Sequence, residues 1–131
     1  MAKTVMIVDD VAFVRKTLTQ ILSKAHYQVI AEAQDGNEAI QMHRKFRPDI
    51  ITMDIVMPKM GGLEATRKIM ETDREAKIVV VSALGQEHLV MESINAGARD
   101  FILKPFSAAE IIRSLDHILA GEMSEGRAKH A

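Results

Sequence analysis

Lys77-Ile78-Val79-Val80-Val81-Ser82 is the stretch that decides the fold. Ile78 to Val81 are apolar on both faces of any strand they form. A central strand of a parallel sheet, covered by helices on each side, needs that pattern. Working outward, short β-branched runs recur at Thr4–Val8, Gln28–Ala33, Asp49–Met53 and Asp100–Leu103, with Lys77–Val81 among them. Gln28 and Glu32 in one run, and the shortness of the last, mark those two as edge strands. Between the runs lie stripes at helical spacing. They are Val11, Val14, Leu18, Ile21, Leu22 and Ala25; Ala39, Ile40, His43 and Phe46; Leu63, Thr66, Ile69 and Met70; Leu89, Val90, Ser93 and Ile94; and Ile111, Ile112, Leu115, Ile118 and Leu119. Turn signals separate them at Asp35-Gly36, Arg47-Pro48, Gly61-Gly62, Ala96-Gly97 and Gly121. Strand then helix, five times, predicts a doubly wound α/β sandwich on a parallel sheet. Residues 1–120 read as one domain. Residues 121–131 are small, polar and unpatterned, and read as a flexible tail.

Composition narrows the function classes. The chain has 131 residues, enough for one core without disulfide or metal staples. Apolar residues make up 47% and charged residues 27%, as in an ordinary soluble domain. A formal net charge of −1 provides no basic field for nucleic acid or an anionic membrane. The absence of cysteine excludes disulfides and thiolate metal sites. The apolar run after Lys3 is too short for a signal-peptide core or a membrane span, so the cytoplasm is the expected compartment. The nine methionines are expected to fill core gaps.

Chemistry concentrates where the strands end. Open parallel sheets bind ligands outside the carboxyl ends of their strands. Asp9-Asp10 follows the first apolar run, Asp54 the third, Ser82 the fourth, and Lys104-Pro105 the fifth. Asp10 alone could cap a helix, Ser82 alone could serve a turn, and Lys104 alone could be solvated. Asp54 resists such a reading, because the apolar runs IITM and IVMP flank it. If the three acids converge within about 5 Å, each pair repels by roughly 3 kcal/mol at an effective dielectric near 20. Lys104 offsets part of that and a divalent cation offsets more. All-oxygen ligation with few protein ligands suits Mg²⁺. A carboxylate in such a site can act as a nucleophile and form aspartyl-phosphate.

The segments MIVDD, MDIVMPKMGG, VVVSA and FILKPF, in this order and spacing, resemble the receiver domain of two-component response regulators. The resemblance covers residues 3 to about 120 and is most detailed to stand-alone chemotaxis regulators of the CheY type. It implies a flavodoxin-like (βα)5 sandwich with strand order 2-1-3-4-5, an order for which that family is a standard example. It implies Asp54 as phosphoacceptor, with Asp9, Asp10 and the Val56 carbonyl as Mg²⁺ ligands. Ser82 matches the switch hydroxyl, Lys104 the phosphoryl-binding lysine ahead of a cis proline bond, and Phe101 the aromatic whose rotamer follows the switch. It further implies a sensor histidine kinase as donor and an α4-β5-α5 surface as output, read by a target such as a flagellar motor switch protein. The protein would then be a monomeric phosphoacceptor with self-directed phosphoryl transfer and autodephosphorylation, not an enzyme with external turnover. Phe106, Met91 and Leu84 fall on or near the output face, or are ordinary core and scattered surface apolars.

Departures from the family pattern carry their own expectations. Gly61 stands where an acid often precedes the third helix, which weakens the helix start by about 1 kcal/mol or less. Val56 and Leu84 flank the phosphoryl position without a polar group to orient water, so self-dephosphorylation should be slow. The five histidines, His26, His43, His88, His117 and His130, share no metal spacing and read as surface or boundary residues. Rival readings are a phosphorelay shuttle or phosphate sink, a receiver fragment of a transcriptional regulator, an aspartate-nucleophile phosphatase and a flavodoxin-like cofactor binder. The last eleven residues show no helix-turn-helix pattern, which disfavours the transcriptional fragment. Val56 stands where the phosphatases want a second acid. The acidic doublet and the lack of a Gly-rich loop disfavour a phosphate-cradling cofactor site.

Overall fold

The structure, a computed structural model, describes residues 2–121. The expected tail lies outside them except for Gly121, which closes the last helix. The elements are β1 (Thr4–Val8), α1 (Ala12–Lys24), β2 (Gln28–Ala33), α2 (Gly36–Phe46), β3 (Ile50–Met53), α3 (Gly62–Thr72), β4 (Ile78–Ser82), α4 (Glu87–Ala96), β5 (Asp100–Leu103) and α5 (Ala108–Gly121). All strands are parallel, in the order β2-β1-β3-β4-β5, so the two strands read as edges are the edges.

The alternation of side chains along each strand builds two cores. Val5, Ile7, Ile50, Val79, Val81 and Ile102 face α1 and α5, where they meet Leu18, Leu22, Ile111, Leu115 and Ile118. Met6, Val8, Ile51, Met53 and Ile78 face the opposite layer, against Ala39 of α2 and Ala65 and Ile69 of α3. Val80 belongs to a smaller cluster with Ile55 and Ala98, on which Leu63 and Phe101 pack. Methionine contributes mainly to the second core, where Met42, Met57, Met60 and Met70 pack against the cluster that holds Met6 and Met53.

Two expectations need correction. His43 is not a surface or boundary residue. It is 2% exposed between α2 and α3, and its Nε2 lies 3.0 Å from Asp73 Oδ2. Its place in the apolar stripe of α2 outweighed its polarity, because Asp73 supplies the partner that a buried imidazole requires. Phe46, in the same stripe, instead stands 40% exposed at the helix end, with the Lys45 ammonium 5.3 Å from its ring centre. His26, His88 and His117 are exposed as expected, and His130 lies outside the described residues.

Candidate functional site

Parallel strands of similar length end together, so the residues that follow them share one rim of the sheet. The Asp54 N–H donates to the Val8 carbonyl at 2.9 Å, and the Asp9 N–H donates to Ala33 at 3.0 Å. These bonds carry the β1–β3 and β1–β2 ladders one residue past the strand ends and fix both aspartates beside one another. Carboxylate oxygens of Asp9, Asp10 and Asp54 all lie within 4.8 Å of one another. Lys104, at the end of β5, reaches across: its Nζ is 2.8 Å from Asp9 Oδ2 and 3.7 Å from Asp54 Oδ2.

Asp9 and Asp54 are buried and Asp10 is exposed. Asp54 Oδ1 accepts the Ile55 N–H at 2.9 Å, which leaves Oδ2 directed at the lysine side. Asp9 Oδ1 accepts the Val11 N–H at 2.9 Å. The cap position of α1 is Val11, without a side-chain cap bond, so Asp10 does not serve as a helix cap. That removes the ordinary explanation for an acid at position 10.

Burial pushes the Asp54 carboxyl up to about 6, and the neighbouring Asp9 charge adds to the rise. Lys104 and the Ile55 N–H pull it down, and Asp10 raises it slightly. The folded protein therefore holds this proton more tightly than the unfolded chain, where the value is 3.8. The stabilisation is full below about pH 4 and is lost as pH rises through 6. At pH 8 the ionised group costs the metal-free fold about 1–2 kcal/mol, allowing for solvent at the rim. Asp54→Asn should thus melt about 5 °C higher than wild type at pH 8 in chelator. The gain should fade below pH 5; a gain that persists there would point to another cause.

The cluster fits a divalent cation on the chemistry of its donors. Three carboxylates crowd one point with a single ammonium against them, and every donor is a hard oxygen. Asp9, Asp10 and Asp54 could hold Mg²⁺, with the Val56 carbonyl as a further donor. The Val56 side chain is 60% exposed just beyond Ile55.

Ser82 ends β4 and is buried. Its hydroxyl accepts the Leu84 N–H at 3.1 Å rather than contacting a carboxylate. The Lys104 N–H donates to the Ser82 carbonyl at 2.8 Å, tying the two strand ends together. The Lys104–Pro105 peptide is cis. Phe101 pairs with Val80 across β4–β5 and is half-buried against the third cluster. Met91 and Leu103 are exposed, Leu84 is half-buried, and Phe106 is half-buried against the first core.

Two contributors escaped the sequence reading. Gly62, read only as a turn, sits against the Asp54 peptide: a Cβ there would lie 1.8 Å from the Asp54 carbonyl oxygen. Arg15 donates from Nη1 to the Asp9 carbonyl at 2.7 Å. A glycine pair after a strand-end acid was a signal for the first. Nothing local marked the second.

Residues 5–116 match the family described as response regulator receiver domain. The chain belongs to the response regulator receiver family. A chemotaxis protein CheY from Thermotoga maritima is 48% identical over 118 residues, covering 90% of this chain and 98% of the relative. A chemotaxis protein CheY from Bacillus subtilis is 42% identical over 119 residues, covering 91% and 99%. Among solved structures, a CheX-CheY-BeF3-Mg complex from Borrelia burgdorferi contains a chain similar to this receiver. It matches with a TM-score of 0.87 at 39% identity, over 88% of each chain. Among the described residues, no helix of the receiver is long and apolar enough to cross a membrane.

Proposed function

We propose that this receiver accepts a phosphoryl group on Asp54 from a phosphohistidine of a sensor histidine kinase, and that it acts in chemotaxis. The observation that carries this reading is the convergence of three carboxylates within 4.8 Å, with Lys104 Nζ 3.7 Å from Asp54 Oδ2. Asp54 Oδ2, the oxygen not held by the Ile55 N–H, attacks phosphorus. The P–N bond to the donor imidazole breaks, the nitrogen keeps the electron pair, and an acyl phosphate forms. Lys104 neutralises charge on the transferring group from its place beside both aspartates. Asp9, Asp10, Asp54 and the Val56 carbonyl would hold Mg²⁺, which would supply charge neutralisation for phosphoryl oxygens. The BeF3 and Mg bound in the Borrelia complex support this reading by similarity.

Output follows from the neighbours of the acyl phosphate. The Ser82 hydroxyl turns from Leu84 to donate to a phosphoryl oxygen. Phe101 moves into the space vacated, and the α4-β5-α5 surface changes for a downstream protein, such as a flagellar motor switch component. A covalent group that favours one of two packings is enough to drive this. The setting is cytoplasmic and the working unit a monomer. The names of the Thermotoga and Bacillus relatives support the chemotaxis assignment.

Incubation with acetyl phosphate and Mg²⁺, followed by intact mass, tests the chemistry. One labile adduct of about 80 Da is expected. It should be absent without Mg²⁺ and absent in Asp54→Asn; an adduct retained by that variant overturns the assignment. Val56 and Leu84 offer no polar side chain to orient water at the acyl phosphate. The adduct should therefore persist well beyond seconds in the isolated protein, and decay within seconds would contradict it.

A further inference from the structure

We propose that Arg15 is a positioning residue for the divalent-cation site: it clamps the Asp9 carbonyl and so fixes the direction in which Asp10 leaves β1. The inference rests on the reading of the acidic cluster as a Mg²⁺ site. Arg15 itself bonds the Asp9 carbonyl and the Glu32 carboxylate.

The hydrogen-bond ladder at the end of β1 runs out at Asp9. The Val8 carbonyl accepts the Asp54 N–H, and the Asp9 N–H donates to Ala33. Asp9 lies one residue past β1, and no loop or cap backbone N–H donates to its carbonyl. A main-chain acceptor at a strand end must find another donor or turn to water. Here it takes Arg15 Nη1 at 2.7 Å, from the first turns of α1. The guanidinium is itself held, because its Nε donates to Glu32 Oε1 of β2 at 2.9 Å. The Arg15 side chain is 14% exposed, so the fork is packed rather than waving in solvent. One arginine thus joins α1, the end of β1 and edge strand β2.

The consequence falls on Asp10. Asp9 is tethered at its N–H, at its carbonyl, and at both carboxylate oxygens by Val11 and Lys104. Asp10 is exposed, and none of the hydrogen bonds of the described side chains holds its carboxylate. Repulsion from Asp9 and Asp54 opposes its place beside them. What keeps it near the cluster is the plane of the Asp9–Asp10 peptide, and Arg15 holds the oxygen of that plane. Groups that orient metal ligands without touching the metal commonly change affinity by about 10–100-fold when removed.

The sign of the effect separates this role from a plain charge effect. Arg15 is a cation close to a cation site. If it acted only through its charge, Arg15→Ala would tighten Mg²⁺ binding. If it positions the peptide, Arg15→Ala should weaken Mg²⁺ binding by about tenfold. The test is Mg²⁺ titration of the full chain followed by amide NMR shifts at Asp9–Val11, with thermal melts in chelator alongside. Glu32→Gln, which keeps an oxygen acceptor for Nε, should change the Mg²⁺ dissociation constant by less than about threefold. Unchanged or tighter binding in Arg15→Ala, with wild type still binding Mg²⁺ and taking phosphoryl from acetyl phosphate, overturns the proposal and leaves the function standing. So does a lowered melting temperature with an unchanged dissociation constant. A wild type that neither binds Mg²⁺ nor accepts phosphoryl overturns both. If Arg15→Ala does not fold, Arg15→Lys decides the matter, since one ammonium cannot hold both partners with the same fork. It should weaken Mg²⁺ binding at least threefold, and wild-type affinity in it overturns the proposal.

Discussion

Lys104→Met is expected to take phosphoryl from acetyl phosphate about a hundredfold more slowly than wild type. Two effects point the same way. Wild-type Lys104 sits 2.8 Å from Asp9 Oδ2 and 3.7 Å from Asp54 Oδ2, where negative charge accumulates as the group is transferred. Removing one pre-placed cation or donor at such a point costs about 10²–10³ in rate. In the metal-free protein Lys104 also lowers the Asp54 carboxyl toward its ordinary range, so its loss leaves the attacking group harder to ionise before Mg²⁺ binds. Methionine keeps most of the side-chain volume, which limits structural damage. Mg²⁺ should bind this variant at least as tightly, because a competing positive charge has gone. The check is the rate of appearance of the adduct by intact mass at saturating Mg²⁺. A rate within threefold of wild type would falsify the assignment of Lys104 to the transferring group.

The second large effect is structural. Gly62→Ala should destabilise the fold by about 3 kcal/mol or more, lowering the melting temperature by roughly 10 °C. An added Cβ would lie 1.8 Å from the Asp54 carbonyl oxygen, 2.8 Å from its carbonyl carbon and 3.0 Å from Met53 Cγ. The first two are backbone atoms at the end of a central strand and cannot turn aside. Either α3 lifts from the sheet or the Asp54 peptide moves, so phosphoryl acceptance should fall even in the folded fraction. Gly61→Ala is the comparison. Its Cβ would approach only the Ile55 carbonyl, at 2.9 Å, and a loss of about 1–2 kcal/mol is expected. Equal losses in the two variants would mean that the close approach at Gly62 is relaxed cheaply.

The close approach explains why the sequence showed this glycine only as half of a turn and not as a contact. Gly61-Gly62 reads as a turn because glycine is common in turns. The requirement at Gly62 comes from a backbone more than one turn of chain away, after the strand and helix have packed. The same holds for Arg15. An arginine in a helix is usually a solvated cation, and its contact with Asp9 depends on how α1 lies against the end of β1.

Strand limits show the same division. β1, β2 and β5 occupy the expected residues, while β3 starts at Ile50 and β4 runs Ile78–Ser82. Asp49 has the composition context of a strand residue, yet its carboxylate accepts the Thr4 N–H and hydroxyl at 2.8 and 3.1 Å. It caps the start of the sheet instead of pairing in it. Ser82 gains strand character because Leu103 of β5 is there to pair with it. Pairing is a property of two segments, so one segment alone cannot set its own ends.

Alternation of strand and helix, the two edges, and the five chemical residues at four strand ends were all determined by the sequence, because apolar periodicity is a local consequence of which face must be buried. The strand order was available only through family resemblance; the chain's own pattern marked the edges and no more. Only the tertiary structure decided that three acids and one lysine meet within a few ångströms, that Asp10 caps nothing, and that His43 is buried with Asp73. Those facts depend on distances between segments far apart in the chain, and local side-chain preference carries no information about such distances until the sheet is assembled.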